Sequence, residues 1–217
     1  MSFGLARGRV LDVGGYGRDQ SELPPYDEGR LDPRRWFAEP DRRFEIEIGS
    51  GKGTFLVQQA PLHSDTNYLG IEMAGEFFRY AADRMRRREL PNVQMLRADA
   101  VEFLRYWCES SVAAVIHVFF SDPWPKKRHH KRRVVQERSL RDFHRVLAPG
   151  GVLHLVTDHD ELWAWYETQT AVVEDLFTRG PFEGVVSSEE GELVGTNYER
   201  KFAREGREFR GMTLLKR

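Results

Sequence analysis

Hydrophobic positions along the chain recur with two spacings, and stretches of one alternate with stretches of the other. Phe44, Ile46 and Ile48 alternate with Glu45 and Glu47, the period of a strand with two unlike faces. Gly49-Ser50-Gly51-Lys52-Gly53 then permits a tight turn, and residues 54–60 begin a helix. Asn67-Tyr68-Leu69-Gly70-Ile71-Glu72 predicts a second strand, residues 75–89 an Arg-rich amphipathic helix, and residues 93–99 a third strand. A helix over 100–107 precedes the apolar run from Val112 to Phe120, which fits a central strand buried on both faces.

Residues 134–147 place Val134, Val135, Leu140, Phe143, Val146 and Leu147 at helical spacing. Pro149-Gly150-Gly151 stops that helix, and residues 152–158 form the next strand. A helix over 160–178, a loop over 180–197 with a short strand at Val185-Val186, and a last strand over 209–215 complete the pattern. Residues 1–43 show no such period and are rich in Gly, Arg, Pro and Asp, which predicts an irregular arm that orders on binding. Within it, Val10-Leu11-Asp12-Val13-Gly14-Gly15-Tyr16-Gly17 imitates a strand and glycine loop, but Pro24-Pro25 follows where a helix is needed.

Strands alternating with helices over residues 44–217 imply right-handed crossovers: an α/β fold, its sheet mostly parallel, with helices on both faces. Ligands of such sheets bind beyond the carboxyl ends of the strands. Glu47, Glu72, Asp99 and Asp122 fall at or near those ends, and Asp158 makes a fifth.

Composition adds a local feature. The formal net charge of the 217 residues is only -1, yet Lys126, Lys127, Arg128, Lys131, Arg132 and Arg133 crowd one short stretch. Basicity confined to one place suits a docking patch for an anionic partner better than a coating. Cys108 is the single cysteine, so an intrachain disulfide is excluded and a reducing compartment is expected. No apolar run has the length of a signal core or a membrane span, which predicts a cytoplasmic chain without a membrane partner. His129 and His130 are adjacent and lack a nearby acid, so no metal site is expected.

The glycine turn suits either a dinucleotide or S-adenosylmethionine. A diphosphate disfavours a carboxylate beside the helix N-terminus, whereas Glu47 favours a cationic ligand carrying an ammonium and a sulfonium. The spacing is also Gly-x-Gly-x-Gly rather than Gly-x-Gly-x-x-Gly. Glu72 is placed for two ribose hydroxyls, a feature shared with dinucleotide folds. Asp99 suits an adenine amino group or the N-cap of the helix after it, and the two roles are compatible. Glu45 faces the same way as Glu47 and has no evident task.

With these residues assembled, the sequence resembles the bacterial tRNA (guanine-N7-)-methyltransferases. The resemblance rests on Glu47-Ile48-Gly49-Ser50-Gly51-Lys52-Gly53, Gly70-Ile71-Glu72, Asp99-Ala100, Thr157-Asp158 and Thr196-Asn197-Tyr198-Glu199. Above all it rests on Asp122-Pro123-Trp124-Pro125-Lys126-Lys127-Arg128-His129-His130-Lys131-Arg132-Arg133. It implies a Rossmann-like class I methyltransferase fold with a seven-stranded sheet, S-adenosylmethionine as cofactor, and tRNA as partner. The reaction implied is methyl transfer to N7 of guanine 46 in the tRNA variable loop. By the same resemblance Asp122 is catalytic, and Glu47, Gly49, Gly51, Glu72, Asp99 and Asp122 bind the cofactor. Lys126, Asp158, Thr196, Asn197, Tyr198 and Glu199 contact the substrate guanine, and Arg128, His129, His130, Lys131, Arg132 and Arg133 contact RNA. Competing readings are a methyltransferase of the same fold acting on another nucleic acid or a protein, and a nucleotide-dependent oxidoreductase. Oligomeric state is not written in the sequence.

Overall fold

The structure is a computed structural model and describes residues 10–185, 194, 199 and 205–217. Among these residues eight strands form one sheet: β1 (Gly17–Asp19), β2 (Arg43–Ile48), β3 (Thr66–Ile71), β4 (Val93–Arg97), β5 (Ala113–Phe119), β6 (Leu147–Thr157), β7 (Phe177–Pro181) and β8 (Arg210–Lys216). Their spatial order is β1-β4-β3-β2-β5-β6-β8-β7. The six strands from β1 to β6 run parallel, while β8 is antiparallel to β6 and β7 to β8. From β2 the chain steps outward to β3 and β4, then crosses back to lay β5 on the other side of β2. That reversal puts the topological switch point between β2 and β5.

Alternation along the central strands feeds two separate cores. Ile46, Ile48, Leu69, Ile71, Ile116, Val118, Leu153 and Leu155 point to one face. There they meet α3 (Ala100–Glu102, continuing as a π turn Phe103–Trp107), α4 (Glu137–Val146) and α5 (Asp160–Ala171). Tyr68, Val93, Met95, Phe119 and Val156 point to the other, under α1 (Thr54–Leu62) and α2 (Gly75–Arg87). Burying each such side chain stabilises the fold by about 1.5–3 kcal/mol, so truncating a central one such as Ile116 is expected to cost about 2–5 kcal/mol.

Four elements depart from the sequence expectation. The arm is mostly short 3-10 turns between residues 14 and 36, but Gly17–Asp19 joins the sheet beside β4 and makes it eight-stranded rather than seven-stranded. The helix expected over 160–178 stops at Ala171, and Phe177–Pro181 turns back as the edge strand β7. An edge position tolerates the Gly180-Pro181 pair that a central strand would not. Pro149-Gly150-Gly151 does not precede β6 but lies within it, where the β5–β6 register shifts between Ala113 and Val115. Helix α4 is shorter than expected: it starts at Glu137, because residues 133–136 are not helical, Arg133 and Gln136 having extended backbone. Val186 and the stretch from Thr196 to Tyr198 lie outside the described residues.

Candidate active site

Among the described residues, each of the six parallel strands has an acid within three residues of its carboxyl end. In spatial order these are Asp19, Asp99, Glu72, Glu47, Asp122 and Asp158. The expectation of acids along one rim is therefore met in strand order, and Glu47 and Asp122 flank the switch point. Asp19 was not anticipated; it pairs with Arg97 at 2.9 Å on the β1–β4 side.

The glycine turn after β2 has Gly49 at φ +74° and Gly51 at φ +52°, a region costly for other residues. A Cβ at either position would meet no atom within 4 Å, so the turn faces open space. Glu72 reaches back to this turn: its Oε2 accepts from the Gly51 N–H at 2.8 Å and its Oε1 from the Ala74 N–H at 2.7 Å. Glu47 is only 6 % exposed, and its Oε2 is buried without a partner among the described residues. Burial pushes its carboxyl up to about 8, against the pull of a Ser50 hydrogen bond, and the nearby Glu72 charge pushes it further. A buried acid with an orphan oxygen beside an open glycine cradle fits a ligand that brings a positive charge.

Asp99 caps the helix that follows it, its Oδ1 accepting from Val101 N–H at 2.9 Å and Glu102 N–H at 3.1 Å. Both expected roles remain geometrically open, because the cap occupies one oxygen. The arm contributes here too: Gln20 Oε1 accepts from the Asp99 N–H at 3.2 Å. No periodicity in residues 1–43 pointed to Gln20. Glu45, without a task in the sequence, accepts from Arg43 at 2.8 Å and lies 2.9 Å from His117 Nε2. Burial works against its ionisation, yet the His117 and Arg43 contacts win and hold its carboxyl down at about 2. Cys108 is fully buried, and burial raises its thiol to about 12, which removes it as a nucleophile.

The segment after β5 carries two non-glycine residues at positive φ, Phe120 (+52°) and Trp124 (+42°), on either side of Asp122. Left-handed backbone of this kind costs about 1–3 kcal/mol per residue and persists where surroundings enforce it. Asp122 is exposed, and no hydrogen bond or ion pair joins it to another described residue. Ser121 Oγ is 2.8 Å from the Tyr166 hydroxyl. Trp124 is half-buried, with the Arg132 guanidinium 4.9 Å over its ring and His129 against its edge.

Lys126, Lys127, Arg128, Lys131 and Arg132 are exposed on this loop, and His129 and His130 are half-buried. Arg133 corrects the sequence expectation. It is 2 % exposed, donates from Nε to the Pro123 carbonyl at 2.8 Å, and pairs with Glu161 at 2.6 Å. A guanidinium so enclosed is not available to an RNA phosphate. Asp158 accepts from Arg207 at 2.6 Å, so its carboxylate is engaged by the tail. Glu199 is buried and accepts from the Val194 N–H at 2.8 Å.

The sequence profile of a putative methyltransferase family matches residues 41–211. A tRNA (guanine-N(7)-)-methyltransferase of Alkalilimnicola ehrlichii is 39 % identical over 201 residues, covering 90 % of this chain and 81 % of that protein. The enzyme of the same name from Enterococcus faecalis is 35 % identical over 180 residues, 80 % of this chain and 83 % of that one. Among solved structures, the aminoglycoside resistance methyltransferase NpmB1 superposes with a TM-score of 0.57 at 22 % identity, over 81 % of this chain and 88 % of that one. At that identity the likeness speaks for the fold alone. The profile match and the coverage of these relatives make the chain a member of the tRNA (guanine-N7-)-methyltransferase family.

Proposed function

We propose that this chain transfers the methyl group of S-adenosylmethionine to N7 of a guanine in tRNA, and that the guanine is residue 46 of the variable loop. The observation that carries the reading is the order Asp99, Glu72, Glu47, Asp122 along one sheet edge, with exposed cations beginning four residues after Asp122. The cofactor supplies an electrophilic methyl on a sulfonium. Glu47 receives its ammonium, Glu72 its ribose hydroxyls and Asp99 its adenine amino group. The turn at Gly49 and Gly51 leaves room for its backbone approach.

Guanine N7 carries a free lone pair, so no general base is required for attack. What remains is alignment of the base with the methyl group, and stabilisation of the positive charge that moves onto the purine. Asp122 serves both. Its exposed carboxylate accepts from the Watson–Crick edge of the base, and its charge favours the cationic product. Lys126 and the basic loop from Arg128 to Arg132 hold the RNA backbone, while Asp158 and Glu199 contact the substrate from carboxylates fixed by Arg207 and by the Val194 N–H. Residues 1–43 are the arm of a methyltransferase domain over residues 44–217, and the described part of that arm touches the domain's cofactor end through Gln20. No helix among the described residues is long and apolar enough to cross a membrane. A tRNA substrate and a single cysteine held as a buried free thiol support a cytoplasmic location.

Incubating the purified chain with unmodified tRNA and methyl-labelled S-adenosylmethionine tests this. Label in 7-methylguanosine at one variable-loop position is expected, and label in any other nucleoside overturns the substrate assignment. Asp122→Ala should lose turnover while keeping most tRNA affinity; unchanged turnover would remove Asp122 from the reaction.

A further inference from the structure

Arg133 is the most enclosed cation of the basic stretch, and its contacts point inward to the Asp-Pro-Trp-Pro turn. Its Nε donates to the Pro123 carbonyl at 2.8 Å, and its Nη2 lies 3.5 Å from the Trp124 carbonyl and 2.6 Å from Glu161 Oε1. The guanidinium plane sits 4.9 Å over the Trp165 ring, whose Nε1 donates to the Val135 carbonyl at 2.6 Å. Glu161 and Trp165 are one turn apart on α5, four residues in sequence, so one helix face carries both halves of the clamp. The same helix supplies Tyr166, which is fully buried and bonded to Ser121.

Asp122 thus lies between Ser121, bonded directly to α5, and Pro123, tied to α5 through Arg133. Its own carboxylate is free among the described residues. The left-handed backbone at Phe120 and Trp124 needs enforcement from its surroundings, and the Arg133 fork supplies it at Pro123 and Trp124. We infer that Arg133 is a positioning residue: it fixes the Asp-Pro-Trp-Pro turn so that Asp122 projects at a set place, and it makes no phosphate contact. Only a planar fork reaches a carbonyl and a carboxylate at once while stacking on an indole; a lysine ammonium keeps the charge and loses the geometry. The inference rests on the methyl-transfer reading given above.

Arg133→Lys and Glu161→Gln test it. Glu161 is half-exposed, so its variant should fold whatever happens to the first. Single-turnover methyl transfer is measured with both substrates saturating, beside tRNA KM, its salt dependence and Tm. Arg133→Lys should lower the single-turnover rate about tenfold or more, since small misplacements of a reacting group are costly. Glu161→Gln should lower it less, and both should leave the tRNA salt slope at the wild-type value. Arg132→Ala is the contrast on the RNA side, with a higher tRNA KM and a shallower salt slope. If Arg133→Lys instead flattens the salt slope at unchanged rate, Arg133 contacts RNA and the inference fails. If both variants lower Tm while rate and slope stay within about twofold of wild type, Arg133 is a packing residue and the inference also fails. Wild-type protein that methylates no tRNA would overturn the functional reading itself, a separate result.

Discussion

Glu72 Oε2 accepts a hydrogen bond from the Gly51 N–H at 2.8 Å, so the end of β3 holds the glycine turn that follows β2. The turn needs the hold: Gly51 has φ +52°, and its Cβ position opens onto empty space rather than core. Gly51→Ala should therefore strain the backbone by about 1–2 kcal/mol. For a chain of this size that lowers Tm by about 2–8 °C. Its methyl should also occupy the space next to Glu72 and weaken the cofactor. Calorimetric titration with S-adenosylmethionine reads this; wild-type affinity in the variant would show that the cradle lies off the cofactor's path.

Cofactor binding should depend on pH through Glu47. Its carboxyl is raised to about 8 by burial, so below that pH it is mostly protonated in the free protein. A cationic ligand needs it ionised, and binding then releases a proton. Affinity should rise with pH up to about 8, by at most about tenfold per unit, and level off above. Glu47→Gln should bind more weakly and lose this slope. Titrations in buffers of different ionisation enthalpy count the proton directly; no proton released at pH 7 would contradict the assignment. For stability the sign is the reverse. The unfolded carboxyl ionises near 4.5 and the folded one near 8, so Glu47 withdraws stability as pH rises between them.

Acid stability should depend on His154. Its ring stacks on His117 at 5.4 Å, and its Nδ1 lies 3.1 Å from Thr213 Oγ1. Burial first, then the nearby His117 charge, lowers it to about 3. The unfolded imidazole takes up its proton near 6.5, so stability is lost as pH falls through the window from about 6.5 to 3, at up to about 1.4 kcal/mol per unit. Glu45 acts in a lower window, since its depressed carboxyl contributes stability that is lost only as pH falls from 4.5 towards 2. His154→Phe keeps a ring and removes the titration. Urea unfolding at pH 7, 6 and 5 should show a shallower decline in the variant, and an identical decline would exclude His154 as a source.

The rim of acids was legible in the sequence because two local patterns coincide at it. A period of two or an unbroken apolar run identifies each central strand, and an acid lies at or near its end, as in Ile71-Glu72 or Thr157-Asp158. Edge strands were not legible. Gly17–Asp19 holds three residues, too few for a period, and Phe177–Pro181 continues the apolar spacing of α5 before it turns. Burial within the basic stretch was hidden for another reason. Arg132 and Arg133 are adjacent and chemically alike, but one is exposed over Trp124 and the other is enclosed by Glu161, Trp165 and Pro123. Only the docking of α5, some thirty residues on, separates them. Glu45 shows the same limit, since its partner His117 arrives from β5 across the sheet.

The exposed part of the basic loop should govern tRNA affinity through salt. Lys127, Arg128 and Lys131 face solvent, and no ion pair among the described residues neutralises them. Each cation that meets a phosphate releases counterions, worth about 0.7–0.9 in the slope of log affinity against log salt. Replacing all three with Ala should therefore flatten the slope by about 2–3 and weaken binding most at low salt. Turnover at saturating tRNA should stay close to wild type, because none of the three touches the Ser121–Trp124 turn. Filter binding over a range of potassium chloride, beside turnover at saturation, separates the two effects. An unchanged slope would move the RNA surface away from this loop, and lost turnover with an intact slope would give these lysines and Arg128 a part in the reaction itself.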